Sequence, residues 1–293
     1  MIAASLVTPP TRSVGKRILY FPLTRIILGI LATMLPVALT FGIVQAVVEK
    51  SMRIVWPYLL ATALCIGAYL LYVRLMEKRS AQELSLAGAG KELGAGLLSG
   101  TLLLAVTMGA LALAGAYSIT GSNNNGTAVL IALAEPVMVG FFEEILFRGV
   151  IFRILEKSLG TRIALILSGV IFALSHAPNA GVTLLAIAIT FVAGIMFTAA
   201  YMATRRLWLA IGIHIAWNFC LGDIFSVAVS GHPAKGLLQG QLSGPQWLTG
   251  GDYGVEGSIA ALLTVTLASI YLLVRAGRRE DYIRPFWAQK PVG

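Results

Sequence analysis

The chain has 293 residues, 57% of them hydrophobic and 12% charged, and its mean hydropathy is +0.83. A soluble domain carries about 25% charged residues, so a water-exposed globule is excluded. Two cysteines, Cys65 and Cys220, both in apolar runs, exclude a disulfide framework and a zinc knuckle. The formal net charge of +9 reports first on membrane topology; no motif supports a nucleic-acid partner.

The first 24 residues lack the sustained apolar core of a signal peptide. Runs long enough to cross about 30 Å of hydrocarbon at 1.5 Å per residue follow. They lie near 26–48, 54–73, 93–116, 128–147, 163–177, 182–204, 207–229 and 257–274. The expected fold is all-α, a polytopic membrane bundle of about eight transmembrane helices. Its expected parts are a cytoplasmic segment 1–25, a single transmembrane domain 26–277 and a cytoplasmic tail 278–293. With both termini in the cytoplasm, all Lys and Arg except Lys50, Arg53 and Lys235 fall on the inner side, including Arg12, Lys16, Arg25, Arg79, Arg153, Arg205 and Lys290. The expected location is therefore a plasma membrane or bacterial inner membrane, crossed many times.

Between the runs, 121–126 (GSNNNG) reads as a polar outer turn, and Asn125-Gly126-Thr127 matches a glycosylation sequon. The Gly-rich loop 231–256 holds His232, Trp247 and Tyr253 and is placed to cap the outer face. Arg278, Arg279 and Arg284 with Trp287 read as an interface anchor. No internal repeat is visible, which argues against an inverted-repeat transporter.

Ionisable residues inside apolar helices cost about 2.5–3.5 kcal/mol each on insertion scales and mark functional sites. Glu143, Glu144 and Arg148 lie in FFEEILFRG, Phe172 and His176 in FALSHAP, and His214 and Asn218 in HIAWN. Glu144–Arg148, Phe172–His176 and His214–Asn218 are i, i+4 pairs, so each projects from one helix face, while Glu143 is rotated about 100° from Glu144. Counting from the turn near Leu159-Gly160 places Glu143 opposite His176 if the fourth helix runs on past Arg148. His214 reaches the same layer, in the inner half of the membrane. A cavity open toward the cytoplasm is expected there. Glu135, beside Pro136, reads as a buried local hydrogen-bond partner, Asp223 as an interfacial residue and His232 as a plain loop residue.

A carboxylate beside an imidazole can take a proton from water and return it to a leaving amine. Adjacent glutamates take different roles when burial and an arginine act on them unequally. His and Asn can donate to the oxyanion of a tetrahedral intermediate. The same groups can instead hold zinc, with Glu143, His176 and His214 as ligands from separate helices.

The ordered motifs Glu-Glu-x-x-x-Arg, Phe-x-x-x-His and His-x-x-x-Asn resemble those of the CPBP intramembrane protease family. This family includes type II CAAX prenyl proteases and bacterial Abi proteins. The resemblance spans roughly 128–225. It implies an endopeptidase acting on membrane-associated peptides, including CAAX-type prenylated ones, with Glu143 activating water and His176 assisting. It further implies His214 and Asn218 at the oxyanion, and Glu144–Arg148 as a supporting ion pair. Both zinc-dependent and metal-free glutamate mechanisms are argued for the family; the metal-free form, needing no cofactor, suits this set better. Two other readings remain at this stage: a non-catalytic scaffold or immunity protein of the same fold, and a proton- or ion-coupled transporter.

Overall fold

A computed structural model describes residues 14–123, 126–279 and 281–288. Arg12, Asn125, Lys290 and the Lys16 side chain, which carry part of the topology and sequon expectations, lie outside the described residues. The elements in chain order are α1 (Val14–Leu19), α2 (Pro22–Val47), α3 (Trp56–Tyr72), α4 (Ala89–Leu113), β1 (Tyr117–Ser122) and α5 (Gly126–Ala132). Next come α6 (Ala134–Glu144), α7 (Arg153–Leu159), α8 (Thr161–Ser175), α9 (Leu184–Thr204), α10 (Trp208–Asn218), β2 (Leu238–Leu242), α11 (Gln246–Thr249) and α12 (Ile259–Gly277).

The fold is the expected all-α membrane bundle. Every predicted apolar run falls on helix. Among the described residues, five helices are long and apolar enough to cross a membrane: Pro22–Val47, Trp56–Glu77, Ala89–Leu113, Leu184–Thr204 and Ile259–Gly277. The other three runs are shorter or interrupted, and they are the ones that carry the ionisable motifs. α6 passes into a π-helical stretch, Ile145–Phe152, and then into α7, so the helix continues past Arg148 as the depth argument requires. α10 likewise opens into a π stretch, Phe219–Ile224. Such i→i+5 turns are rare and recur at functional sites.

Outward-facing residues are apolar, as on α2, where Leu31, Leu35, Leu39 and Ile43 are exposed. In lipid this costs nothing, but it also removes the hydrophobic drive for helices to associate, so close packing must hold them. α4 and α10 do this with glycine. A Cβ on Gly100 would sit 2.5 Å from the Ile213 carbonyl oxygen, and one on Gly212 would sit 2.5 Å from that of Leu93. The backbones touch only because these residues have no side chain. Ser258 and Thr183 cap α12 and α9 by accepting from the Ala261 and Ala186 amides at 3.1 and 3.0 Å.

At the end of the bundle where α2 begins and α12 ends, several of the arginines read as topology markers are turned inward. Glu77 pairs with Arg79 and Arg153, each at 2.7 Å, and Glu83 with Arg79 at 2.6 Å. Tyr69 donates to Glu83, and Arg153 Nε donates to the Gly149 carbonyl at 2.7 Å. This cluster ties α3 and its following loop to the π stretch of the α6–α7 helix. The tail is also docked: Thr161 donates from its backbone N–H to the Ile283 carbonyl at 3.0 Å, and Arg205 donates to that of Asp281 at 2.6 Å. Phe286 and Trp287 stay exposed, as an interface anchor requires.

The segment 121–126 is not simply a turn. Gly121 and Ser122 belong to β1, which pairs antiparallel with β2, with an irregularity between Ile119 and Gly121. The partner strand lies more than a hundred residues away, so no local signal marks it. Cys65 is buried in packing and Cys220 lies 3.9 Å from the Thr101 hydroxyl.

Gly100→Ala should lower stability by ~1–3 kcal/mol through overpacking. Gly109→Ala, on the same helix with open space around it, should be neutral or slightly stabilising. Thermal unfolding of the two variants in one detergent checks this. A second expectation concerns acid. Burial alone would raise the Glu83 carboxyl, but hydrogen bonding from Arg79, the nearby Arg153 charge and the Tyr69 bond hold it below its ordinary value. Its stabilisation is therefore complete above the unfolded value of about 4.3 and is lost as pH falls through the lower folded value. Wild-type melting temperature should drop more steeply than that of Glu83→Gln on acidification from pH 7 to pH 3.

Candidate active site

The ionisable motif residues converge between α6, α8, α9 and α10. Glu144 is fully buried and Arg148 is 1% exposed. Neither is tolerable alone in an apolar interior, and their i, i+4 spacing brings Arg148 Nη1 to Glu144 Oε1 at 3.0 Å. Arg148 Nη2 donates to the Gly194 carbonyl at 3.0 Å, and the guanidinium lies 4.6 and 5.0 Å from the ring centres of Phe172 and Phe197. The aromatic faces supply the attraction that water would otherwise give.

Glu144 also holds His214, whose Nδ1 donates to Oε1 at 2.9 Å. The His214 ring stacks on Phe197 with centres 4.7 Å apart and planes 21° apart. With Nδ1 fixed, Nε2 points toward Glu143, 3.8 Å from Oε2. Glu143 differs sharply from its neighbour. Its side chain is 19% exposed against 0% for Glu144; Oε2 of each lacks a hydrogen-bond partner among the described residues, but only Glu143 lines the cavity. Adjacent glutamates thus take distinct stations, one locked in an ion pair and one presented to a cavity.

His176 caps the end of α8. Its Nδ1 lies 2.9 Å from the Phe172 carbonyl, which assigns that nitrogen the proton and leaves Nε2 available. The Phe172 and His176 rings are 4.7 Å apart. Asn218 stands where α10 gives way to its π stretch. Glu143, His176, His214 and Asn218 line one cavity of about 460 Å³, with Phe172 and Phe197 among its apolar walls. Glu144 and Arg148 lie behind it.

The cavity departs from expectation in direction. It is lined by Asp223, His232, Pro233, Ala234, Lys235 and Glu256, and so reaches the 225–258 loop rather than the end where α2 begins and α12 ends. Leu146, Phe147 and Ile151 of the π stretch are buried in the apolar core and do not line the cavity. Glu135, expected buried, is exposed and lines the cavity, 3.5 Å from the Tyr58 hydroxyl. Asp223 and His232 line it too.

Zinc does not fit. Among the described residues no group of three His, Cys, Asp or Glu is arranged to hold a metal ion. Glu143, His176 and His214 share a cavity without forming such a group; Nδ1 of each histidine is held by a protein partner, and Nε2 of each is left for the cavity. Phe197, Gly194 and Glu256 escaped the sequence reading. Nothing in an apolar helix separates a phenylalanine that shields an arginine from one that faces lipid.

The arrangement defines a helical membrane protein with a buried carboxylate–imidazole–guanidinium centre facing a polar cavity. Residues 125–220 match the sequence model of the Rce1-like family, described as type II CAAX prenyl endopeptidase Rce1-like. The match contains all seven motif residues, and it is the family that their order resembles. Neither the curated proteins nor the solved structures give a match to the chain.

Glu144→Gln should destabilise the protein by ~3 kcal/mol, because it leaves the Arg148 charge buried without a counter-charge. Equal melting temperatures for wild type and variant would contradict that account.

Proposed function

We propose that the protein is an intramembrane endopeptidase that cleaves membrane-associated peptides by a glutamate-activated water, without a metal cofactor. The observation that carries this reading is the Glu143 carboxylate. It faces the cavity with one buried oxygen unbonded by protein, beside His214 and in the same cavity as His176 and Asn218. Buried polar atoms are normally satisfied by protein or by water, and an oxygen that lines a cavity has room to bind water there.

In the proposed reaction Glu143 accepts a proton from water as the water oxygen bonds to the scissile carbonyl carbon. The electron pair of the C=O bond moves onto oxygen. The Asn218 amide donates to that oxyanion, and His214, held at Nδ1 by Glu144, presents Nε2 to it and donates when doubly protonated. Collapse of the intermediate breaks the C–N bond, and the proton on Glu143 passes to the leaving nitrogen. His176 assists through Nε2. Arg148 keeps Glu144 charged and His214 oriented; neither Arg148 nor Glu144 touches the substrate.

Several features support the rest of the reading. The apolar wall of Ile189, Ala193, Met196 and Val265 suits an aliphatic or lipid-modified substrate segment. The distribution of basic residues supports eight spans with both termini cytoplasmic, in a plasma or bacterial inner membrane. Under that assignment the cavity mouth faces away from the cytoplasm.

The test is cleavage of fluorogenic membrane-anchored peptides, one a farnesylated CAAX peptide and others unmodified, by protein in detergent. Glu143→Ala should lower kcat by ~10²–10⁴-fold, and a strong zinc chelator should leave wild-type activity unchanged. Chelator-sensitive cleavage restored by zinc would replace the metal-free mechanism. Equal cleavage by wild type and Glu143→Ala would remove Glu143 from the reaction.

A further inference from the structure

His176 and Asn218 line one cavity but come from separate elements, and no direct hydrogen bond joins those two side chains. A chain of polar contacts around the cavity roof links them instead. Trp217, next to Asn218, donates its indole N–H to Glu256 Oε1 at 2.9 Å. Glu256 Oε2 accepts from both the backbone N–H and the hydroxyl of Ser230, the latter at 2.9 Å. The Ser230 carbonyl accepts from the Asn179 side chain at 2.9 Å, and the Asn179 backbone N–H donates to the His176 carbonyl at 3.1 Å.

The link is built at some conformational cost. Ser230 is a non-glycine residue at φ 49°, and Gly231 follows at φ 83° with its N–H on the Tyr253 carbonyl at 2.9 Å. A side chain at Gly231 would collide with the Ala180 carbonyl, in the turn that follows His176. Left-handed backbone at a residue other than glycine persists only where surrounding contacts over-determine it. Here three separate segments converge on one turn.

We propose that Glu256 is a positioning residue. Resting on the peptidase reading, this inference assigns Glu256 the task of holding the His176 turn and the Trp217–Asn218 end of α10 at a fixed separation across the cavity. It does so through Ser230 and Asn179. With three donors on its two oxygens, the carboxylate is committed to the roof and is not a second water activator. Glutamine at this position can still accept from Trp217, but its NH₂ group faces the Ser230 N–H and opens the link.

The experiment combines kinetics with hydrogen exchange on the purified full chain. Glu256→Gln and Asn179→Ala should each lower kcat ~10-fold with little change in KM, and the double variant should lose no more than the worse single one, because links in series do not add. Ser230→Ala keeps the backbone donation and should lose less than ~3-fold. Additive losses that track a lower melting temperature would reduce Glu256 to a general structural role and overturn the proposal. Independently of catalysis, backbone amides in 177–182 should exchange ~10-fold faster in Glu256→Gln. Unchanged exchange overturns the proposal whatever the peptides do. Faster exchange in a protein whose wild type cleaves no peptide would keep the link and reject the peptidase reading.

Discussion

One carboxylate, Glu144, sits where no unpaired charge is tolerable, and the surrounding structure is arranged to satisfy it. Arg148 neutralises it from the next turn, and His214 donates to the same oxygen. Arg148 in turn needs Gly194 and two aromatic faces. Four helical segments are thereby drawn to one point, and the Glu143 side chain next door is left as the group the cavity can use. A buried ion pair contributes little net stability, since desolvation offsets most of the attraction. What it fixes here is the orientation of an imidazole.

That precision depends on a scaffold that cannot rely on hydrophobic association between helices. The bundle substitutes close backbone contact at Gly100 and Gly212, and a buried cluster of arginines and glutamates beneath the π stretch. Both devices act on helices that carry motif residues. α10 brings His214 and Asn218 and is pinned by α4. The α6–α7 helix brings Glu143 and Glu144 and is held at its far end by Arg153. The π stretches begin directly after Glu144 and Asn218; the first contains Arg148, and the second follows the His-x-x-x-Asn motif.

The other boundary of the site is loop, not helix. The 225–258 segment does more than cap the bundle: its side chains line the cavity, and its Ser230–Gly231 turn is joined to the elements bearing His176 and Asn218. A cavity whose floor is a rigid helix crossing and whose roof is a tethered loop can separate two tasks. The floor holds the reacting groups, and the roof sets their spacing and admits the substrate.

The sequence by itself determined the helical membrane class, the positions of the apolar runs and the seven motif residues with their pairings at i, i+4. These are properties of a residue and its near neighbours: hydropathy adds along one helix, and side chains four apart share a face whatever surrounds them. Tertiary structure alone decided the rest. It decided that the cavity meets the loop face, while Leu146, Phe147 and Ile151 are packed in the core. It decided that Glu135 is exposed, that 121–122 joins a strand, that Phe197 shields Arg148 and that Glu256 spans the roof. Each of these depends on which distant segments come into contact, and contact between distant segments is a property of the assembled bundle, not of any window of the chain.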